Sequence, residues 1–247
     1  MLQPEWKYIY ARELRTYFNT PIGYVFAVIT LFFNFLLFFT GFGGPVPAFF
    51  DRMEPSIQNY MTLLPATFVL LVPAVTMRIW SEEKKSGTFE LLASLPLREL
   101  DLVVAKFAAA WSYVAMIVLA SLPLCLNIAF ASTNFDWGST FTMYAGSLLM
   151  AGAYVSTGMV ISSLTREQIV AFILIAFVSF FMFITNYLFF FLQDAPDSVK
   201  AVLGFFSHGY HFSSFQRGLF YLPDIVYYIS FIALMIAINV WILRRER

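Results

Sequence analysis

The sequence predicts an all-α polytopic membrane protein with six transmembrane helices, and three observations predict it. The chain is 60% hydrophobic and 19% aromatic but only 12% charged, about half the roughly 25% charged of an ordinary soluble domain. Six apolar runs approach or exceed the ~20 residues a helix needs to cross a bilayer. The lysines and arginines are sorted onto alternate connections between those runs. Short alternating strands of the kind that build outer-membrane barrels are missing from the sequence. Net charge is zero, so no basic surface points to a nucleic-acid partner. The single cysteine, Cys125, lies in an apolar run, permits no intramolecular disulfide and reads as a packed thiol. Residues 1–247 therefore read as one transmembrane domain.

Residues 5–20 open the chain as an amphipathic helix lying in the membrane interface. Trp6, Tyr10, Leu14 and Tyr17 share one side, and Arg12 and Arg15 the other. The first span, about Ile22–Phe42, begins too late and runs too long for a signal-peptide core and is read as retained. Its one strongly polar side chain, Asn34, is expected to hydrogen-bond a neighbouring helix. A Gly- and Pro-rich loop over Gly41–Asn59 precedes span two, about Tyr60–Met77, which Pro65 and Pro73 are expected to kink. Span three covers about Phe107–Phe130, with Pro123 inside it. Span four, about Phe141–Leu164, is rich in small residues. Ser147 and Ala151, and likewise Gly152 and Ser156, stand four apart and allow close backbone approach, so this helix is expected at the centre of the packing. Span five, about Ile169–Leu192, follows the turn Thr165–Gln168 and is crowded with phenylalanine. Residues 193–223 mix charge with apolar pieces too short to cross and read as an extracytoplasmic, re-entrant or interfacial segment. Span six is about Asp224–Leu243.

Residues 81–106 are the one charge-dense passage between spans. Within it Phe89, Leu91, Leu92 and Leu95 recur at helical spacing between Ser86-Gly87-Thr88 and the breaker Pro96. A helix of one to two turns is too short to be stable alone, so its apolar face is expected to rest on a partner surface. The alternative is a solvated loop whose leucines fold back on the bilayer. With the N-terminus, this passage, the Thr165 turn and the C-terminus on the cytoplasmic side, twelve of the fifteen basic residues face inward, leaving Arg52, Lys200 and Arg217 outside.

The sequence carries no phosphate-binding G-x-x-x-x-G-K-[ST], no G-x-S-x-G and no H-E-x-x-H, so neither ATP hydrolysis nor intramembrane proteolysis has visible machinery, and no catalytic residue is assigned. His208 and His211, three apart, offer two of the four ligands a metal needs and have no third nearby. They are read as interfacial side chains in an aromatic belt with Tyr210, Phe212 and Phe215, and no metal site is expected.

Three stretches carry a family resemblance. They are Arg12-Glu13-Leu14 with Tyr17-Phe18-Asn19-Thr20-Pro21-Ile22-Gly23-Tyr24, then Ser81-Glu82-Glu83-Lys84-Lys85-Ser86-Gly87-Thr88-Phe89-Glu90-Leu91-Leu92 followed by Pro96 and Lys106, and Tyr210-His211-Phe212-Ser213-Ser214-Phe215-Gln216-Arg217-Gly218. Together they resemble the permeases of type-2 ABC transporters, the ABC-2 family, and look most like its gliding-motility-associated branch. The resemblance implies a permease with no ATPase activity of its own, in the bacterial inner membrane with both termini cytoplasmic. It implies pairing with a second permease, as homodimer or heterodimer, and with separate P-loop ATPase subunits that bind the ATP and magnesium. It also implies that 81–106 carries a coupling helix contacting the ATPase through Gly87, Thr88, Phe89, Glu90, Leu91, Leu92 and Leu95. Because polar side chains within the spans are sparse, an exported substrate is expected to be lipidic or amphipathic. The competing expectation is a non-transporting scaffold that uses a partner ATPase to move or assemble envelope proteins.

Overall fold

The computed structural model describes residues 6–41, 48–52, 56–90, 98–133, 135–191, 196 and 203–246. Among them there are helices and no strands. In chain order these are α1 (Trp6–Asn19), α2 (Pro21–Thr40), α3 (Phe49–Arg52), α4 (Gln58–Thr76), α5 (Arg78–Ser86), α6 (Glu99–Leu119), α7 (Leu122–Ala131), α8 (Trp137–Ser162), α9 (Gln168–Phe191), α10 (His208–Gln216) and α11 (Leu222–Glu246). Six stretches are long and apolar enough to cross a membrane: Gly23–Thr40, Gln58–Ser86, Glu99–Ala131, Trp137–Ser162, Gln168–Thr185 and Leu222–Glu246. The six spans expected from hydropathy are thus present, and the chain is a multi-pass membrane protein.

The helices sort into a central pair and two flanks. α4 and α8 pack on each other, α2 and α9 flank α4, and α6 and α11 flank α8. Composition explains the order. α8 carries its small residues where neighbours press closest, and Ser147, Ala151, Gly152 and Ser156 are all buried. A Cβ placed on Gly152 would stand 2.8 Å from Ile232 Cδ1 on α11, and one on Gly158 would stand 2.9 Å from Thr76 Cβ on α4. Without a hydrophobic drive between helices in lipid, this close packing is a main source of association. Gly158→Ala should therefore force α4 and α8 apart at a cost of about 1–3 kcal/mol. The check is a lower melting temperature of the detergent-solubilised chain. α2 and α9, by contrast, expose Val28, Phe32 and Phe33, and Ile169, Ile173 and Phe177, the residue types that face acyl chains.

Four expectations change in detail. Span two does not end at Met77. Pro65 and Pro73 both lie inside α4, the helix turns at Met77 and then continues as α5 through Ser86. Ser162 of α8 holds this turn, because its Oγ accepts from the Trp80 and Ser81 amides at 3.2 and 3.4 Å and donates to the Met77 carbonyl at 2.9 Å. Buried amides at a helix start would otherwise have no partner. Span three is interrupted between α6 and α7, where Pro123 opens the second piece and Ser121 Oγ lies 2.7 Å from Tyr144 Oη. α1 presents its expected face, but to protein. Tyr17 stacks on Tyr113 of α6 at 4.8 Å and donates to the Val75 carbonyl of α4, while Tyr10 donates to Ser112 of α6. Asn34 turns inward on its own helix and donates to the Thr30 carbonyl at 2.9 Å. The neighbouring-helix bond expected there is made instead by Asn239, which donates to Met159 of α8.

Candidate functional site

The C-terminal ends of α4–α5, α8 and α11 meet α1 and the start of α6 in one ionic net, and α5 is its hub. Lys106 of α6 is 2% exposed, and its ammonium lies 2.7 Å from Glu83 of α5, 3.3 Å from Glu13 of α1 and 3.1 Å from the Ile79 carbonyl. The Trp80 ring covers it at 4.9 Å from the centroid. Arg12 adds a second cation, 2.6 Å from Glu13 and 3.8 Å from Glu83. Two cations thus meet two carboxylates in a partly desolvated volume where each charge needs its partner. Burial alone would raise the Glu13 pKa, but Lys106 and Arg12 outweigh it and hold the carboxyl below its ordinary value.

The polar side of α5 extends the net to two further elements. Lys84 pairs with Glu246 at the end of α11 and donates to the Ser163 carbonyl that ends α8. Lys85 pairs with Glu167, in the turn before α9, at 2.7 Å. Glu99 of α6 and Arg244 of α11 approach to 3.8 Å. A displacement of α5 therefore pulls on α1, α6 and α11 through charge pairs, on the end of α8 through hydrogen bonds to Ser162 and Ser163, and on α4 through the backbone. This is what an element that transmits motion requires: connection to several rigid helices at once.

The sequence-assigned contact residues follow directly. Gly87 ends α5 with φ +72°, a left-handed conformation that favours glycine, and a Cβ there would meet no neighbour. Thr88 Oγ1 lies 2.9 Å from Ser86 Oγ and donates to the Glu83 carbonyl. Phe89 is half-buried, edge-on to Trp80 at 6.3 Å, with the Lys84 ammonium 5.6 Å from its ring. Glu90 is exposed. Leu91, Leu92 and Leu95 lie outside the described residues. Residues 87–90 are thus tied to the hub through Phe89. The burial of Lys106 and its pairing with Glu13 had no signal in hydropathy; the signal available was a lysine at the apolar threshold of a span, which must find a carboxylate.

The histidines are not interfacial. α10 is tucked into the other end of the bundle, with Phe215 packed on Gly146 and the Phe215 carbonyl accepting from Thr142 of α8. His208 is fully buried, its Nδ1 3.0 Å from Tyr227 Oη, and its carbonyl accepts from Tyr228 Oη. His211 stacks on Tyr227 at 3.8 Å and lies 2.7 Å from Asp224 Oδ1. Burial lowers the His208 pKa to about 4, so it is neutral near pH 7. The residues that read as a surface belt divide: Phe212 and Phe215 are buried in this end of the bundle, whereas Tyr210 is 53% exposed. Among the described residues no three His, Cys, Asp or Glu side chains are grouped to hold a metal.

No curated protein matches the chain. The family model described as ABC-2 family transporter protein matches residues 45–243. That match covers α4 through nearly all of α11, both ends of the bundle and the α5 hub, and the protein belongs to the ABC-2 family of transporter proteins.

Proposed function

We propose that this chain is the permease subunit of an ATP-driven exporter in the bacterial inner membrane, that both its termini are cytoplasmic, and that it carries an amphipathic or lipidic substrate. Family membership supports a membrane subunit without catalysis of its own. Hydrolysis then belongs to a cytoplasmic P-loop ATPase that binds ATP and magnesium, and a second permease, identical or related, completes the path. The observation that carries the reading is the α5 hub. A force applied at Gly87–Glu90, by an ATPase surface that also takes the apolar side chains of Leu91, Leu92 and Leu95, passes through Glu83 to α1 and α6, through Lys84 to α11 and the end of α8, and through Lys85 to the turn before α9. The exposed apolar faces of α2 and α9 are available to lipid and to the second permease.

Cargo class follows from how the spans spend their polar groups. Thr62, Thr76, Ser147, Ser156 and Thr157 each donate to a carbonyl of their own helix three or four residues back. Such groups leave little to replace the hydration of a small ion, and an apolar cargo needs no such replacement. The gliding-motility branch rests on sequence resemblance alone and leaves the process open.

Two measurements test the reading. The isolated chain should be dimeric in nanodiscs and hydrolyse no ATP, and the chain with its ATPase should hydrolyse it; turnover by the contaminant-free chain alone would overturn the assignment. In a Cys125→Ala background, Ser86→Cys should label only from the cytoplasmic side and Thr133→Cys only from the opposite side. Labelling of both from one face would overturn the orientation.

A further inference from the structure

At the end of the bundle opposite the ionic net, the C-terminus of α10 and the N-termini of α4 and α11 line an open cavity of about 710 Å³, within the range of about 300–1,000 Å³ of small-molecule sites. Its lining includes Gln58, Ser213, Gln216, Arg217, Tyr221 and Asp224. Two of these carry opposite charge. Arg217 is exposed and forms an ion pair with no carboxylate among the described residues. Its guanidinium presents a planar fork of donors suited to a phosphate or carboxylate. The Asp224 side chain is 6% exposed, with His211 bonded to Oδ1 and no partner on the buried Oδ2. A carboxylate that keeps a single hydrogen-bond donor, at the wall of a cavity, is a group whose free energy a ligand's N–H can lower.

The remaining wall narrows the ligand. Gln216 spends its amide N–H on Thr62 at 3.0 Å, and Ser213 donates to the Tyr210 carbonyl, so the carbonyl oxygen of one and the hydroxyl oxygen of the other can still accept. Leu219, Phe220, Tyr221 and Leu222 are all more than half exposed beside the cavity, an apolar and aromatic rim of the kind found at the membrane interface. An anion alone would leave Asp224 facing like charge. A cation alone would leave Arg217 unused.

We propose that this cavity binds a phosphate ester bearing a primary amine, the headgroup chemistry of a phosphoethanolamine amphipath, with the phosphate on Arg217 and the ammonium directed to Asp224. The inference concerns binding and holds whether or not the ligand is carried across the membrane. Its test therefore needs no ATPase and is separate from the tests of transport.

The purified full chain is incubated in detergent with an equimolar mixture of phosphatidylethanolamine, phosphatidylcholine and phosphatidylglycerol of matched acyl chains, and retained lipid is counted by native mass spectrometry. Phosphatidylethanolamine should exceed each of the others by about tenfold, the worth of one charge-assisted hydrogen bond, because choline has no N–H to donate and the glycerol headgroup no cation. Arg217→Gln should lower retention of all three lipids. Asp224→Asn keeps an acceptor for His211 and should erase only the preference for ethanolamine over choline. Soluble O-phosphoethanolamine, added without lipid, separates the two sources. Arg217-dependent binding of it identifies the free ester as sufficient, and its failure beside retained phosphatidylethanolamine identifies the lipid-borne form; either supports the headgroup chemistry. Equal retention of the three lipids by the unaltered chain overturns the proposal without any variant having to fold. An unchanged preference in folded Asp224→Asn, or full retention in folded Arg217→Gln, overturns it as well.

Discussion

Lys106→Met is expected to destabilise the chain by about 3 kcal/mol, because it leaves the half-buried Glu83 and Glu13 carboxylates beside one exposed arginine. Glu83 Oε2 already lacks a hydrogen-bond partner, so no spare donor is at hand to compensate. Thermal unfolding in detergent should show a clearly lowered midpoint, whereas Lys85→Met, which breaks the exposed pair with Glu167, should shift it little. The triple replacement Glu13→Gln, Glu83→Gln and Lys106→Met removes every unpaired charge among these three residues at once and should regain most of the loss, since burying neutral groups avoids the desolvation that charges incur. If the triple variant is stable yet its complex hydrolyses ATP without moving substrate, the net serves the connection of α5 to α1 and α6 more than stability. A Lys106→Met midpoint equal to that of the parent would mean that water reaches Lys106 freely and that α5 is not clamped there.

The six spans were legible because the bilayer demands length and apolarity of each helix separately, and a single sequence displays both. The face of α1 was legible for a similar reason: Tyr10, Leu14 and Tyr17 recur at helical spacing whatever surface they meet. That the surface is α6 was not, because spacing does not name a partner. The same limit explains Ser81–Ser86. Glu82, Glu83, Lys84 and Lys85 in a row read as a loop, since four charges at a span's end are costly unless paired. Their partners Arg78, Arg12, Lys106, Glu246 and Glu167 mostly come from distant parts of the chain. His208 and His211 were misplaced by length: a nine-residue helix cannot span, yet it can be buried when Gly146 makes room for Phe215, Tyr227 and Tyr228 bond the His208 Nδ1 and carbonyl, and Asp224 pairs with the His211 Nδ1. Cys125 needed no partner and was read as packed; it is free and buried.

Leu92→Asp is expected to abolish retention of the ATPase subunit while leaving the permease folded. Leu92 lies outside the described residues, so the expectation rests on the apolar spacing of Phe89, Leu92 and Leu95 and on the anchoring of Phe89 to Trp80. If those leucines enter a cleft on the ATPase, a carboxylate at position 92 is desolvated without a partner. That penalty of several kcal/mol is comparable to the binding free energy of a modest interface. Glu90→Ala removes an exposed carboxylate whose ion pair with a basic ATPase group would be formed only in the complex. Its expected effect on co-purification is small, about 1 kcal/mol or less, and its larger effect is on substrate-stimulated hydrolysis, because rim charges contribute more to orientation than to affinity. Both variants should match the parent in melting temperature and dimerisation: Glu90 is exposed, and position 92 is expected to meet the ATPase rather than the bundle. The decisive comparison is Leu92→Asp against Leu92→Met in the same pull-down: the conservative change keeps volume and apolarity and should retain the partner. If the aspartate variant also retains its ATPase at full turnover, the leucines lie on the bilayer surface as a solvated loop, and coupling has to be sought at another cytoplasmic element, of which the Thr165 turn tied to Lys85 is the nearest.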